Sequence, residues 1–149
     1  MNAEKDRPGS NAGETAFKIE VEEPRPYEFE ITLLTPLTKD AVKERARRNQ
    51  VDTVGGVASL MAAPLLGLYK AHHGGSWPDI RKGAVVAGNR GRKLTGDRYV
   101  IPIENPDVRQ FLEELHTQTG ATRAQIVKVA MMGGLELTLA RPDKGTTIH

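Results

Sequence analysis

A short strand followed by two short helices, in the C-terminal third of the chain, most restricts how this protein can fold. Residues 97–103 (DRYVIPI) alternate between apolar and polar side chains, which predicts a half-buried strand. Residues 106–118 and the stretch after Thr122 then space their apolar side chains as helices do. One strand and two helices of this size bury too little surface to be stable alone. The module therefore needs further structural elements to complete a core.

Capping signals predict where these two helices begin and end. Asn105 before Pro106 predicts a capping side chain followed by a proline at the first helical position. Gly120 predicts the end of the first helix. Thr122 and Gln125 have the spacing of a capping box, which begins the second helix. The apolar face of that second helix is predicted to consist of Ile126, Val129, Ala130, Gly133 and Leu137.

Composition excludes several classes of protein. The 149 residues include no cysteine, which excludes a disulfide scaffold and thiolate metal sites and suits a reducing compartment. The N-terminus has no secretory-signal character. The longest apolar stretch, 54–69, is shorter than the roughly 20 residues that a spanning helix needs, and it contains Pro64. We therefore expect a cytoplasmic protein with no membrane partner.

Charge is unevenly distributed along the chain. Residues 1–36 have a net charge of −4, residues 37–93 of +7 and residues 94–149 of −1. The middle of the chain could therefore meet a polyanion, which the N-terminal part would repel. Solvated helix faces would produce the same asymmetry.

The N-terminal half repeats the strand and helix signals more weakly. Residues 27–34 (YEFEITLL) alternate as a strand, residues 38–50 form a charged helix, and Asp52-Thr53 caps a second helix that runs to about Lys70. Pro64 should kink that helix at a cost of about 3 kcal/mol. The predicted organisation is a disordered tail (1–16), a β-α-α domain (17–71), a Gly-rich basic linker with a possible short strand at 84–87 (72–96), a second β-α-α module (97–141) and a polar tail (142–149).

The C-terminal module resembles the ribbon-helix-helix superfamily of DNA-binding proteins, the Arc, MetJ and CopG repressor group. The resemblance is carried by RYVIPI, NPDVRQFLEELHTQTG and ATRAQIVKVAMMGGLELTL, about 45 of the 149 residues. It implies an α+β fold in which two strands pair into an antiparallel ribbon and four helices share one core. It also implies that the ribbon enters the DNA major groove, while amides at the start of the second helix bind phosphates.

The resemblance assigns a role to individual residues. Arg98, Val100 and Pro102 would face the groove, and Thr122 and Arg123 would face phosphate. Family ribbons usually present polar side chains, whereas here only Arg98 can hydrogen-bond a base edge. Backbone binding could therefore matter more than base readout, helped by a basic arm in GNRGRK just before the strand. That arm contains Arg90, Arg92 and Lys93, and a solvated linker is the alternative interpretation.

The N-terminal half is either a degenerate second copy or a separate partner-binding or oligomerising domain. Aligning Thr53 with Thr122 places apolar positions of the two halves about 70 residues apart, so the halves could pair inside one chain as in tandem proteins of conjugative plasmids. Glu28 and Glu30 oppose this, because carboxylates on a ribbon would repel phosphates. The expected assembly is a homodimer or an intramolecular pseudo-dimer.

No constellation in the sequence predicts catalysis, a metal or a cofactor. His72 and His73 are adjacent, with no cysteine or spaced carboxylate nearby in the sequence, so we expect no metal site there. The predicted function is binding of double-stranded DNA, as a repressor or as a plasmid maintenance or conjugative-transfer accessory factor. The alternative is a protein-interaction module, such as an antitoxin-like subunit that neutralises a partner through the N-terminal half.

Overall fold

The computed structural model describes residues 17–74 and 91–140, which form an α+β fold with one antiparallel sheet and four helices. The strand order in the sheet is β1-β2-β4-β3. In chain order the elements are β1 (Ile19–Arg25), β2 (Glu28–Leu33), α1 (Pro36–Asn49), α2 (Thr53–His72), β3 (Arg92–Lys93), β4 (Arg98–Pro102), α3 (Pro106–Thr119) and α4 (Arg123–Ala140).

The predicted capping signals of the C-terminal half are confirmed. The Asn105 side chain accepts hydrogen bonds from two amides of the first turn of α3, and Pro106 is the first residue of that helix. Gly120 ends α3 in the left-handed conformation, with φ 77°. Thr122 and Gln125 exchange side-chain-to-amide hydrogen bonds of 3.1 and 2.8 Å, which is the geometry of a capping box.

The inner face of the sheet and the four helices enclose one core. Alternate residues of β2 and β4 point inward and are almost completely buried, while the helices cover them from one side. α2 contributes fully buried side chains to this core, including Leu60, Met61 and Leu65. The inward-facing side chains are Phe29, Ile31 and Leu33 of β2, Tyr99 and Ile101 of β4, and Ile103, which directly follows β4.

Residues 70 positions apart occupy equivalent places in the two halves. Both halves have the order strand, strand, helix, helix. Thr35 and Asn105 are both N-caps, and each precedes a proline at the first helical position. Gln50 and Gly120 are both left-handed C-caps, with φ 56° and 77°. Buried positions of α2 and α4 coincide at the same spacing: Gly56 and Ile126, Val57 and Val127, Leu60 and Ala130, Met61 and Met131, Leu65 and Leu135.

The pairing of β2 with β4 has approximate two-fold symmetry, with equivalent residues again 70 positions apart. Phe29 pairs with Ile101, and their counterparts Tyr99 and Ile31 pair with each other. Glu30 pairs with Val100, and Val100 is also the residue equivalent to Glu30 in the second half. The two-fold axis therefore passes between these two residues. Two backbone hydrogen bonds at the ends of this pairing are related in the same way: Leu33 N–H to Asp97 O at 3.0 Å and Ile103 N–H to Tyr27 O at 2.8 Å.

The helices α2 and α4 contact each other near equivalent residues. A Cβ atom placed on Gly134 would lie 2.4 Å from the Leu60 carbonyl oxygen and 3.3 Å from Pro64 Cγ, and Pro64 is the counterpart of Gly134. Because Pro64 has no N–H, it cannot donate the usual helical hydrogen bond to the Leu60 carbonyl. The glycine on α4 thus lets that carbonyl approach closely, and α2 is assigned as one helix through the proline.

Several sequence expectations differ from the structure. β1 was not expected, and β3 places Arg92 and Lys93 in the sheet rather than in a linker. The predicted cap at Asp52-Thr53 is confirmed at Asp52, but Asp52 rather than Thr53 is the counterpart of Thr122. The predicted apolar face of α4 is only partly correct. Ile126 and Ala130 are buried, but Val129 and Leu137 are 69% and 54% exposed. The buried stripe runs through residues 126, 127, 130, 131, 134, 135 and 138. The predicted tails and residues 84–87 lie outside the described residues.

The length predicted for the long apolar helix was also too short. α2 has 20 residues and, by length and composition alone, could cross a membrane. Core helices of water-soluble domains meet the same criterion, and 44% of its most apolar window is buried inside the fold.

Candidate nucleic-acid interface

The outer face of the sheet is the surface that the resemblance assigns to DNA. The register of the strands gives its charged side chains, which are four carboxylates and Arg25 on β1 and β2, and the cations Arg98 and Arg92 on β4 and β3. The face is therefore acidic on one side and basic on the other. Its charged members are Glu20, Glu22, Glu28, Glu30, Arg25, Arg92 and Arg98.

Arg98 is bound to a carboxylate of the neighbouring strand. Its Nε donates to Glu30 Oε2 at 2.9 Å, and the hydrogen bond and charge of Glu30, with a smaller contribution from Glu22, raise the pKa of Arg98. Glu22 and Glu30 lie directly opposite each other on β1 and β2, where like charges repel. Arg98 therefore offsets an unfavourable carboxylate pair.

Val100 and Pro102, which were predicted to face the groove, are both buried. Val100 is 4% exposed and lies between its pairing partners Glu30 on β2 and Arg92 on β3. Pro102 pairs with Glu28. In this arrangement Arg98 is the most exposed side chain of β4.

The width of the sheet also bears on groove binding. Neighbouring strands lie about 4.8 Å apart, so the outer strands of a four-stranded sheet are separated by about 14 Å. The major groove is about 12 Å wide and admits a two-stranded ribbon. The central pair β2–β4 has the dimensions of such a ribbon, but β1 and β3 flank it.

Arg123 belongs to a network that the sequence did not reveal. Its guanidinium donates to Glu23 at 2.8 Å and to Glu113, and these hydrogen bonds raise its pKa. The same guanidinium lies 4.9 Å from the Tyr27 ring centroid, while Arg109 lies 4.7 Å away from it. Two cations stacked on one ring, with the carboxylates beside them, hold α3 and α4 against the β1–β2 turn.

Tyr27 is the centre of this network. It has φ 64°, which a tyrosine rarely adopts, and its amide donates to Glu23 at 2.7 Å. Its hydroxyl donates to Glu113 Oε2 at 2.6 Å. Burial, followed by the hydrogen bond and charge of Glu113, raises the pKa of Tyr27. The hydrogen bonds from Tyr27 and Arg123 lower the pKa of Glu113.

The polar side chains at the start of α4 form hydrogen bonds with backbone amides of the same turn. The Thr122 amide donates to Gln125 Oε1, and the Gln125 amide donates to Thr122 Oγ1. Lys128 lies one turn further along, beside Glu20 and Glu22 of β1. The β1 edge of the sheet, with Glu20 and Glu22, is therefore an acidic flank.

The opposite edge of the sheet, at β3, is a basic flank formed by Arg92 and Lys93. Arg92 and Lys93 are exposed in β3, and Arg90 lies outside the described residues. β3 lies beside the first turn of α2, because a Cβ atom on Gly91 would be 3.0 Å from Val54 Cγ1. Within the described part of the chain neither Arg92 nor Lys93 forms an ion pair, although the Lys93 ammonium lies 6.0 Å from the Tyr99 ring centroid.

The last turn of α1 carries two further arginines. Arg47 and Arg48 both bind Glu44, at 2.7 and 2.6 Å, and these hydrogen bonds lower the pKa of Glu44 to about 2. Three residues then lead from α1 to the start of α2, beside β3.

The histidines at the end of α2 lie close to a carboxylate from α3. Glu114 Oε1 is 3.4 Å from His72 Nε2 and 3.8 Å from His73 Nε2. The expectation that no carboxylate is available there rested on sequence distance alone.

Comparison with models of protein families, with characterised proteins and with solved structures found no match for this chain.

Proposed function

We propose that this chain is a single-chain pair of ribbon-helix-helix units that binds duplex DNA mainly through its phosphates. The observation that carries the proposal is the two-fold pairing of β2 with β4, in which Glu30 faces its counterpart Val100. A ribbon of two equivalent strands, each followed by two capped helices, is the architecture that the sequence resemblance implies. The first unit would comprise residues 17–74 and the second 91–140.

Phosphate contact rather than base readout follows from the side chains. Arg98 is bound to Glu30, Val100 is buried, and Arg123 is bound to two carboxylates. The side chains best placed for phosphate are those of the basic flank, Arg92 and Lys93, beside the start of α2. A lysine or arginine that neutralises a phosphate contributes affinity without sequence information. The biological role would be repression, plasmid maintenance or conjugative transfer, in the cytoplasm.

Fluorescence anisotropy of a labelled random duplex, at low and at near-physiological salt, tests this proposal. Binding should weaken steeply with salt, and Lys93→Ala should reduce the slope of log K against log salt by about 1. Lys128→Ala is the matched control, because Lys128 is also an exposed lysine but lies on the acidic flank. Equal losses for both variants would contradict the assignment of the basic flank, and absence of binding at low salt would refute DNA binding altogether.

The acidic half of the sheet face favours a second candidate, a protein-interaction module for a basic partner. Glu20 and Glu22 are exposed on β1, and Glu28 and Glu30 extend the same surface. Such a module should co-purify with its partner, and the double substitution Glu20→Gln/Glu22→Gln should release that partner. Retention of the partner by this variant would argue against the acidic surface as its binding site.

A further inference from the structure

The end of α2 and the middle of α3 bring three possible metal-binding side chains together. His72 is the last residue of α2, His73 is its C-cap, and Glu114 projects from α3. One nitrogen of each imidazole and one carboxylate oxygen lie within 4.8 Å of one another. Glu114 Oε1 lies between the imidazoles, at 3.4 Å from His72 Nε2 and 3.8 Å from His73 Nε2.

These separations are close to those of a tetrahedral metal site. Two ligands of a tetrahedral zinc ion, with bonds of about 2.0–2.1 Å, lie about 3.3 Å apart. The two nitrogen–oxygen distances are therefore within about 0.5 Å of the required value. The two imidazoles need to approach each other by up to about 1.5 Å, which rotations of side chains at a helix end can supply.

The surroundings orient the donors. Phe111, one turn before Glu114, contacts both imidazole rings, with ring centroids 5.4 Å from His72 and 5.8 Å from His73. His73 is also held against Tyr69, at 4.8 Å between centroids. The His72 and Glu114 side chains retain 30% and 28% of their exposure, so an ion can enter from solvent. The C-terminal end of a helix also favours a cation electrostatically.

We propose that His72, His73 and Glu114 form a binding site for one late first-row divalent cation, such as Zn²⁺ or Co²⁺. Imidazole and carboxylate donors without a thiolate suit these ions, and three protein ligands leave a position for water or an exchangeable ligand. The ion would join the first half of the chain to the second, because α2 and α3 belong to different halves. The site does not depend on the proposed DNA-binding function.

Metal titration of the full chain, prepared without a histidine tag and stripped with a chelator, tests the site. Calorimetry with Zn²⁺ should give one ion per chain, and Co²⁺ should produce visible absorption bands of a low-coordinate site. Glu114→Gln and His72→Gln should each weaken binding by at least about tenfold, since loss of an outer-shell partner alone typically costs 10–100-fold. Zn²⁺ should raise the melting temperature of the unsubstituted protein and not that of Glu114→Gln.

His116→Gln is the matched control, because His116 lies on the same helix, with its Nδ1 2.6 Å from the Ala121 carbonyl oxygen rather than beside Glu114. This variant should bind the ion as the unsubstituted protein does. Both tested side chains are partly exposed, so circular dichroism without metal should show that the variants fold. Failure of the unsubstituted protein to bind either ion, or binding that survives both substitutions unchanged, would overturn the proposal.

Discussion

Replacing Gly134 with alanine should force α2 and α4 apart where they cross. The added Cβ would lie 2.4 Å from the Leu60 carbonyl oxygen, whereas ordinary contacts begin at 3.4 Å, so the helices would have to separate by about 1 Å. The obstructing atom belongs to the backbone of α2, which carries the core residues Met61 and Leu65 and cannot yield by a rotamer change. Overpacking of this kind costs about 3 kcal/mol, of which the better helix propensity of alanine offsets about 1 kcal/mol. We therefore expect a net loss of about 2 kcal/mol in the free energy of unfolding.

Gly133→Ala provides the matched control for this prediction. A Cβ atom at Gly133 meets nothing within 4 Å, so the substitution should stabilise the protein by about 0.5–1 kcal/mol through helix propensity. Urea unfolding followed by circular dichroism measures both changes, and equal m-values would show that the unfolded states are comparable. If Gly134→Ala proved as stable as Gly133→Ala, the close crossing of the two helices would be refuted.

Three other substitutions test the charged networks. Glu30→Gln removes a carboxylate and releases Arg98, so DNA affinity at low salt should rise by about two- to fivefold, and unchanged affinity would place the sheet face away from DNA. Tyr27→Phe removes the hydrogen bond to Glu113 but keeps the ring between its two cations, so urea unfolding should show a loss of about 1 kcal/mol; no loss would mean that water replaces the bond. Because the pKa of Glu113 is lower in the folded protein, its contribution is complete above the usual carboxylate value of 4.5 and is lost as pH falls through the folded value. The decline of stability on acidification should therefore be shallower in Glu113→Gln, and an identical decline would contradict the assigned shift.

Local signals predicted the helix ends well because they act within one turn. The capping box at Thr122, the Asn105 cap and the Gly120 terminus each involve residues at most four positions apart. The approximate repeat was also visible from the sequence, although its exact spacing of 70 residues emerges only when Asp52 is aligned with Thr122.

The buried face of α4 could not be predicted from periodicity. The helix is apolar nearly all round, so Val129 and Leu137 looked as suitable for the core as Val127 and Met131, which are fully buried. β1 escaped prediction for the opposite reason, since glutamates outnumber its two apolar residues. Contacts with other elements, rather than local preference, determine both features.

The partners of the candidate site residues were equally hidden. Arg98 binds a carboxylate 68 residues away and Arg123 binds one 100 residues away. A sequence shows that an arginine is present, but it does not show whether a carboxylate from another element already binds that arginine. The same limitation concealed Glu114 beside the paired histidines.

Both strands of the central ribbon belong to one chain, and a disulfide engineered between residues 30 and 100 would test this arrangement. The neighbouring bond from Leu33 N–H to Asp97 O makes the pair of residues 33 and 97 a hydrogen-bonded one, so residues 30 and 100 form a non-hydrogen-bonded pair. The Cα atoms of such a pair lie about 4.5 Å apart, within the range of a disulfide. The chain has no cysteine of its own, so the double variant Glu30→Cys/Val100→Cys contains only the two test thiols.

After mild oxidation at low protein concentration, both thiols should disappear and the product should run as a monomer on a non-reducing gel. Disulfide-linked dimers as the main product would show that the ribbon forms between chains, and this would contradict the single-chain pair.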